Sequence, residues 1–327
     1  MNFLNIKNCP GTLLDGHATY SRACLNKLFN GKKVSHILPY NSPATHSDIQ
    51  EMFEDNRKRI SISGVQEKFS VLLEKNKLRL IREGEQGEYI LKPIPNAGKK
   101  PEEMPANEHL TMQIAKQVFG IETAENAMIF FKDGSPAYIT KRFDFSNDGS
   151  KRAQEDFASL AGRTHQTHGE HYKYLGNYLE LFELLKKHVG AYLVEAPKLF
   201  KIIMFNYLFS NGDAHFKNFS LLETPMGDFI LSPAYDLLNS RIHIEDTDFS
   251  LEDGLLPRNL GQGTTIKQFS ILAEMAEIHS IIYNDILQVM LSNQEKVEKL
   301  ITSSFLSDIS QRNYLQAYQA RLKQLLK

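Results

Sequence analysis

The stretch Asn211-Gly212-Asp213-Ala214-His215-Phe216-Lys217-Asn218 sets a carboxylate and an amide five positions apart. It follows an apolar run with helical spacing and precedes a short β pattern, so it reads as a loop. These residue types suit one chemistry. The carboxylate of Asp213 can accept or orient the proton of an attacking hydroxyl. The amide oxygen of Asn218 can coordinate a hard cation. Beyond a β-hairpin expected at 219–232, Ser232-Pro233-Ala234-Tyr235-Asp236 supplies a second carboxylate, Asp236. Mg2+ at bridging phosphates needs oxygen donors of both kinds.

Upstream, Ser61-Ile62-Ser63-Gly64-Val65-Gln66-Glu67-Lys68 reads as a turn whose backbone N–H groups can approach phosphates. With one glycine it matches neither GxGxxG nor the GxxxxGK[ST] loop. Residues 68–73 and 77–81 read as strands about a turn at Asn76-Lys77, and 88–92 as a third strand stopped by Pro93 and Pro95. Lys92 therefore ends a strand. Residues 105–119 carry helical spacing, with Leu110, Ile114, Val118 and Phe119 on one face, and Glu108 on this helix is a candidate partner for Lys92. Residues 127–131 and 137–140 flank Asp133-Gly134, a hairpin signal. Helical patterns follow at 174–189, at 198–210 with Pro197 placed for a first turn, at 280–292 and at 313–326.

The β-rich part precedes the helix-rich part, and the switch falls near the polar stretch Ser146-Asn147-Asp148-Gly149-Ser150. The fold expected is α+β and two-lobed, with a β-rich N-terminal lobe over 1–145, a helical C-terminal lobe over 146–327 and a ligand cleft between them. Phosphate loop, strand lysine, helix glutamate, lobe switch, Asp-x4-Asn, hairpin, Asp is the order found in protein kinases.

Composition agrees. The chain has 327 residues, 42% of them hydrophobic and 24% charged, with a formal net charge of −1, which excludes disorder, coiled coil and an unaided nucleic-acid binder. Cys9 and Cys24 have neither CxxC nor zinc spacing and read as reduced thiols of a cytoplasmic protein. No signal peptide and no membrane span is legible, so no membrane partner is expected. His165, His168 and His171 lie close together, but Gly169 and the absence of an HExxH pattern make them a polar surface loop rather than a zinc site. The acidic run Glu245-Asp246-Thr247-Asp248 with Glu252-Asp253 reads as a solvated loop, and the aromatic stretch Phe200 to Phe209 as core.

The motifs at 61–68, Ile90-Leu91-Lys92-Pro93, Lys141-Arg142-Phe143-Asp144, Gln154-Glu155-Asp156, 211–218 and Ala234-Tyr235-Asp236 together resemble the HipA-like serine/threonine kinase toxins. Only a short segment precedes residue 61, and with the paired serines Ser61 and Ser63 the likeness is nearest to HipT, the short kinase of three-gene toxin–antitoxin systems. The resemblance implies ATP and Mg2+ as cofactors. It implies Asp213 as the catalytic residue, Asn218 and Asp236 as metal ligands, and Ser63, Gly64, Val65 and Lys92 at the phosphates. Lys141 and Phe143 resemble the hinge that meets adenine, with His215 and Tyr235 lining the same site. It further implies an aminoacyl-tRNA synthetase as substrate, tryptophanyl favoured. The implied partners are a small HipS-like protein and a helix-turn-helix HipB-like antitoxin, with DNA reached only through the antitoxin.

Ser61 and Ser63 border the expected phosphate loop. A phosphate carrying about −1.5 to −2 charges there would repel ATP, so autophosphorylation at either serine is expected to lower activity. Two other readings stand beside this one: a lipid or small-molecule kinase, and an ATP-binding co-repressor subunit without kinase activity.

Overall fold

A computed structural model describes residues 6–43, 67–96, 98–146, 149–244 and 248–326. The expected phosphate-loop residues Ser61, Ser63, Gly64 and Val65 lie outside the described residues. The chain forms two compact units. The first comprises 1–113, 124–143 and 299–311, and the second 114–123, 144–298 and 312–327.

The first unit is built on an antiparallel sheet with order β2-β1-β3-β5-β4, from β1 (Phe69–Glu74), β2 (Lys77–Leu80), β3 (Tyr89–Pro93), β4 (Asn126–Phe130) and β5 (Pro136–Lys141). The β1–β2 turn is Lys75-Asn76, one residue earlier than the sequence pattern suggested. Both residues have positive φ, 46° and 65°, and Glu74 pairs with Lys77 across them. That is the backbone a two-residue hairpin needs to follow the strand twist.

Alternation along the strands decides which residues reach which face. Phe69, Val71, Tyr89, Leu91, Ala127, Ile129, Ala137 and Ile139 share one core cluster with Leu28 and Phe29 of helix α1 (Arg22–Phe29) and with Cys9 and Cys24. Both cysteines are buried and carry no disulfide. The alternate residues, Lys92 and Tyr138 among them, therefore face the other way, toward helix α2 (Met104–Gln117). Nearly all of α2 is buried, including Asn107, Glu108, His109, Thr111 and Gln113. Each of these polar side chains takes part in a hydrogen bond or ion pair, as buried polar groups must.

The second unit combines a three-stranded antiparallel sheet with helices. The strands are β6 (Gln154–Asp156), β7 (Ser220–Glu223) and β8 (Phe229–Leu231), with β7 central. The larger helices are α3 (Leu179–His188), α4 (Tyr192–Leu208), α5 (Thr265–Met275) and α6 (Ser280–Ser292), and α7 (Gln294–Thr302) and α8 (Asp308–Leu325) each contribute part of their length to this unit. Phe200, Phe205 and Phe209 are fully buried, and Phe209 stacks on Tyr318 with ring centroids 5.0 Å apart.

Three local readings change. Helix α4 starts five residues before Pro197, which sits inside it rather than in its first turn. The ring removes the N–H that would bond the Leu193 carbonyl. Leu193 is 69% exposed, so that carbonyl has water within reach. The helix expected over 174–189 is instead a 3-10 turn (Tyr172–Tyr174) followed by α3. Gly176, at φ +87°, separates them, and a Cβ there would meet the Glu180 carboxylate, which folds back to accept the Asn177 N–H. His165–His168 forms one exposed helical turn capped by Thr164. Of the acidic run, Asp248 pairs with the buried Arg321, and Asp253 with Arg258 at 2.5 Å.

Gly87 is buried beside β1, and an added Cβ would come within 2.7 Å of Val71 O and 2.8 Å of Val71 N. Backbone cannot yield as a side chain can. Gly87→Ala should cost about 1–3 kcal/mol of unfolding free energy, read as a lowered urea midpoint; an unchanged midpoint would contradict this packing.

Candidate active site

In the second unit, α4 ends at Leu208, and Ser210 adopts the left-handed conformation with φ +52°. The Asn211 N–H then bonds back to Asn206 O at 2.8 Å, which closes the helix and turns the chain into the 211–218 loop. That loop is held along its length. Tyr174 donates its phenol proton to Asp213 Oδ1 at 2.6 Å. Tyr178 donates to Ala214 O at 2.7 Å. The Arg163 guanidinium lies 4.5 Å from the centre of the Phe216 ring and also pairs with Glu180. Lys217 reaches Asp156 at 3.1 Å. The Asn218 Oδ1 accepts the His215 N–H at 3.3 Å.

The same loop is stitched to the segment after the hairpin. The Tyr235 hydroxyl donates to Lys217 O at 2.9 Å and also bonds Ser220. Gly212 N–H donates to Ser240 Oγ at 2.8 Å, and Ser240 in turn donates to Ser210 O from both its N–H and its hydroxyl. Asn211 Nδ2 reaches Asp236 O at 3.5 Å. Asp236 itself has φ +55°, a conformation that Asp and Asn tolerate better than most residues. Asp213 and Asp236 thus sit on two loops bonded to each other at both ends.

His215 registers that convergence. It is 6% exposed, with Nε2 3.7 Å from Asp213 Oδ1 and its ring edge-on to Tyr174 at 5.0 Å. Burial pulls its pKa down to about 4, against the opposing charges of Asp213 and Asp236, so both carboxylates lie within electrostatic reach of one imidazole. His215 is neutral at pH 7. Burial first, and then the Asp213 charge, raise the Tyr174 pKa, so its phenol remains a donor.

The Asp213 side chain is 47% exposed although one oxygen is held. Asp213, Asn218 and Asp236 offer only oxygen donors, the set that suits Mg2+. Among the described residues no three His, Cys, Asp or Glu side chains gather as a metal site on their own. Asn218 and Asp236, an amide and a carboxylate, could hold a Mg2+ that keeps water and phosphate oxygens in the rest of its shell.

In the first unit, Lys92 Nζ lies 2.5 Å from Glu108 Oε1, both side chains are 3% exposed, and the ammonium stands 5.3 Å from the centre of the Tyr138 ring. Lys141 ends β5, with its N–H on Glu125 O and its ammonium on Asn30. The change of unit falls between Phe143 and Asp144, just beyond it.

Sequence spacing singled out neither Tyr174 nor Tyr178, Arg163 or Ser240. Tyr174 lies 39 residues from its carboxylate. A lone tyrosine in a polar loop carries no local signal.

The sequence model of a family described as HipA-like C-terminal domain matches residues 60–303, and the chain belongs to that family. A Haemophilus influenzae protein named "Putative kinase" is 26% identical over 98% of this chain and 97% of its own length. A Sinorhizobium fredii protein, "Putative kinase Y4dM", is 31% identical over 59% of this chain and 48% of its own length. Among solved structures, the HipA of Shewanella oneidensis, in a toxin–antitoxin complex with HipB and operator DNA, superposes with a TM-score of 0.62 at 18% identity, over 88% of this chain and 72% of that one. The Helicobacter pylori proinflammatory kinase CtkA gives 0.52 at 15% identity, over 78% and 92%. The fold is α+β and kinase-like.

Two predictions follow from burial. Lys92→Met leaves the Glu108 carboxylate buried without its ammonium and should cost about 3–5 kcal/mol, whereas Lys92→Met with Glu108→Leu should cost clearly less. Urea unfolding of the two variants checks this; equal losses would mean that the Glu108 carboxylate left behind carries no burial penalty. His109 and His215 both have pKa values lowered to about 4 by burial, against an unfolded value near 6.5. The unfolded chain takes up their protons first as pH falls. Their contribution is therefore complete above pH 6.5 and lost toward pH 4, as much as about 3 kcal/mol for each. Unfolding free energies at pH 7 and pH 5 should show the drop, and His109→Gln should flatten it.

Proposed function

As a member of the HipA-like family, this chain is, we propose, an ATP-dependent serine/threonine kinase, the toxin component of a toxin–antitoxin system. One observation carries the reading: a half-exposed Asp213 carboxylate, held at one oxygen by Tyr174, on a loop bonded to the segment that bears Asp236. Such a carboxylate can receive a proton without losing its aim.

The acceptor serine oxygen forms a bond to the γ-phosphorus, the bond from that phosphorus to the β–γ bridging oxygen breaks, ADP leaves, and the hydroxyl proton passes to Asp213. Mg2+, when bound, neutralises the charge on the phosphates. Asn218 and Asp236 orient their oxygens for it. His215, neutral and buried, places no positive charge beside the base. Lys92, fixed by Glu108, is the cation for the α- and β-phosphates, with Ser63, Gly64 and Val65 supplying the phosphate turn. Lys141 and Phe143 are the residues whose main chain would meet adenine, and Tyr235 keeps the two loops together. Catalysis is then mostly positioning and charge stabilisation.

The finer reading is a HipT-like kinase acting on an aminoacyl-tRNA synthetase, tryptophanyl favoured, and regulated by autophosphorylation at Ser61 or Ser63. The paired serines support it. Its partners are a HipS-like protein and a HipB-like antitoxin that provides the contact with DNA; the Shewanella HipA complex with HipB and operator DNA is the precedent.

Phosphoproteomics of cells expressing the wild-type chain or Asp213→Ala should show a synthetase serine phosphorylated only with wild type. With purified components, Asp213→Asn should lower transfer by about 10²–10⁴. Transfer that persists in the alanine variant would end the assignment of Asp213. A Ser61→Ala/Ser63→Ala double variant with unchanged self-incorporated phosphate would remove the regulatory part alone.

A further inference from the structure

The second unit contains a cavity of about 330 Å3 that none of Asp213, Asn218 and Asp236 lines. Ligand pockets run from roughly 300 to 1,000 Å3, so this one suits a small molecule. Its walls come from the turn after α2, the middle of α4, the end of β8 and one face of α6, and its surface is largely aliphatic, with Ile202, Leu231, Ile282 and Ile286.

Two lysines stand on this apolar surface, and they differ. Lys198 is already engaged: its ammonium lies 2.7 Å from Glu195 Oε1, and the other oxygen of that buried carboxylate accepts the Leu231 N–H. Lys201 is half-buried and has no ion pair among the described residues. Its ammonium faces Gly120 in the turn after α2, where an added Cβ would stand 3.9 Å from Nζ. Burial alone pulls its pKa down, with no anion to oppose the effect. Glu122, on the same wall, is exposed and makes no ion pair with Lys201. A cation taken partly out of water and left without a counter-ion is a cost to the protein that a ligand can remove.

We propose that this cavity is a second ligand site, for a small amphipathic monoanion: one carboxylate on Lys201 and an aliphatic body against Ile202, Leu231, Ile282 and Ile286. Each half of such a molecule meets its complement. A neutral apolar molecule would dehydrate Lys201 further without compensation. An apolar cation would meet the Lys201 ammonium, while Lys198 is already engaged by Glu195 and Glu122 is exposed. The site is independent of the phosphoryl-transfer reading and stands if that reading fails.

Calorimetric titration of the full chain with decanoate, decanol and decylammonium tests it. Decanoate should bind saturably at one molecule per chain and about tenfold tighter than decanol, the gain expected of one partly desolvated charge-assisted contact. Decylammonium should not bind. Lys201→Met should bring decanoate down to the affinity of decanol, while Lys201→Arg keeps the preference. Ile282→Trp, at a partly exposed position that tolerates bulk, should fill the cavity and weaken both ligands, with an unchanged thermal midpoint showing that the variant is folded. Equal affinities for decanoate and decanol in the wild type, a preference that survives Lys201→Met, or no saturable binding at all would overturn the proposal.

Discussion

On the proposed reading Asp213 takes a proton from an incoming hydroxyl; a carboxylate with that role must be held and yet reachable, and the bonds around the 211–218 loop meet both demands. The Asp213 Oδ1 is fixed by the Tyr174 phenol, while close to half of the side chain stays open to solvent. The residues on either side are pinned through backbone rather than side chain, by Tyr178 on Ala214 O and Ser240 on Gly212 N. Bonds of this kind leave the functional side chains free. The left-handed Ser210 at the end of α4 and the left-handed Asp236 beyond the hairpin are the bends that let two distant segments meet. Both bends are secured by hydrogen bonds to their carbonyl oxygens, which is how local strain persists in a folded chain.

The first unit solves a different problem, that of keeping an ammonium charged inside protein. Lys92 lies on the face of β3 opposite the aromatic core, so α2 can supply Glu108 to it directly. The strand alternation that buries Tyr89 and Leu91 on one side delivers Lys92 to the other. Lys201 shows the contrasting case in the second unit: a half-buried ammonium beside aliphatic walls with no carboxylate built against it. The two lysines differ in what the fold places opposite them, and that difference separates an ammonium paired with Glu108 from one left open to an outside anion.

Much of this is legible in the order of residues. The strands at 69–74, 89–93 and 136–141, the long helix carrying Glu108, and the hairpin between Asn218 and Asp236 follow from apolar periodicity and turn residues. The errors were local and had local causes. The hairpin turn moved by one residue because Lys75, not a usual turn residue, accepts a positive φ. Helix α4 ran through Pro197 because the carbonyl that loses its partner belongs to an exposed residue. Among the site residues, Asp213, Asn218, Asp236 and the Lys92–Glu108 pair stood out by type and order. Tyr174 and Ser240 did not, because their role is a contact between segments far apart in the chain.

The amino-acid sequence by itself determined the alternation that sends Lys92 away from the core, the helix that carries Glu108 and the spacing of Asp213 from Asn218, since each rests on periods of two to a few residues. Only the tertiary structure decided which oxygen of Asp213 is held, that the 211–218 loop is bonded to the Asp236 segment, and that Lys201 stands in a cavity without a counter-ion among the described residues. Those facts depend on where unrelated stretches of chain come to lie, and packing, unlike local backbone preference, leaves no periodic trace in the order of residues.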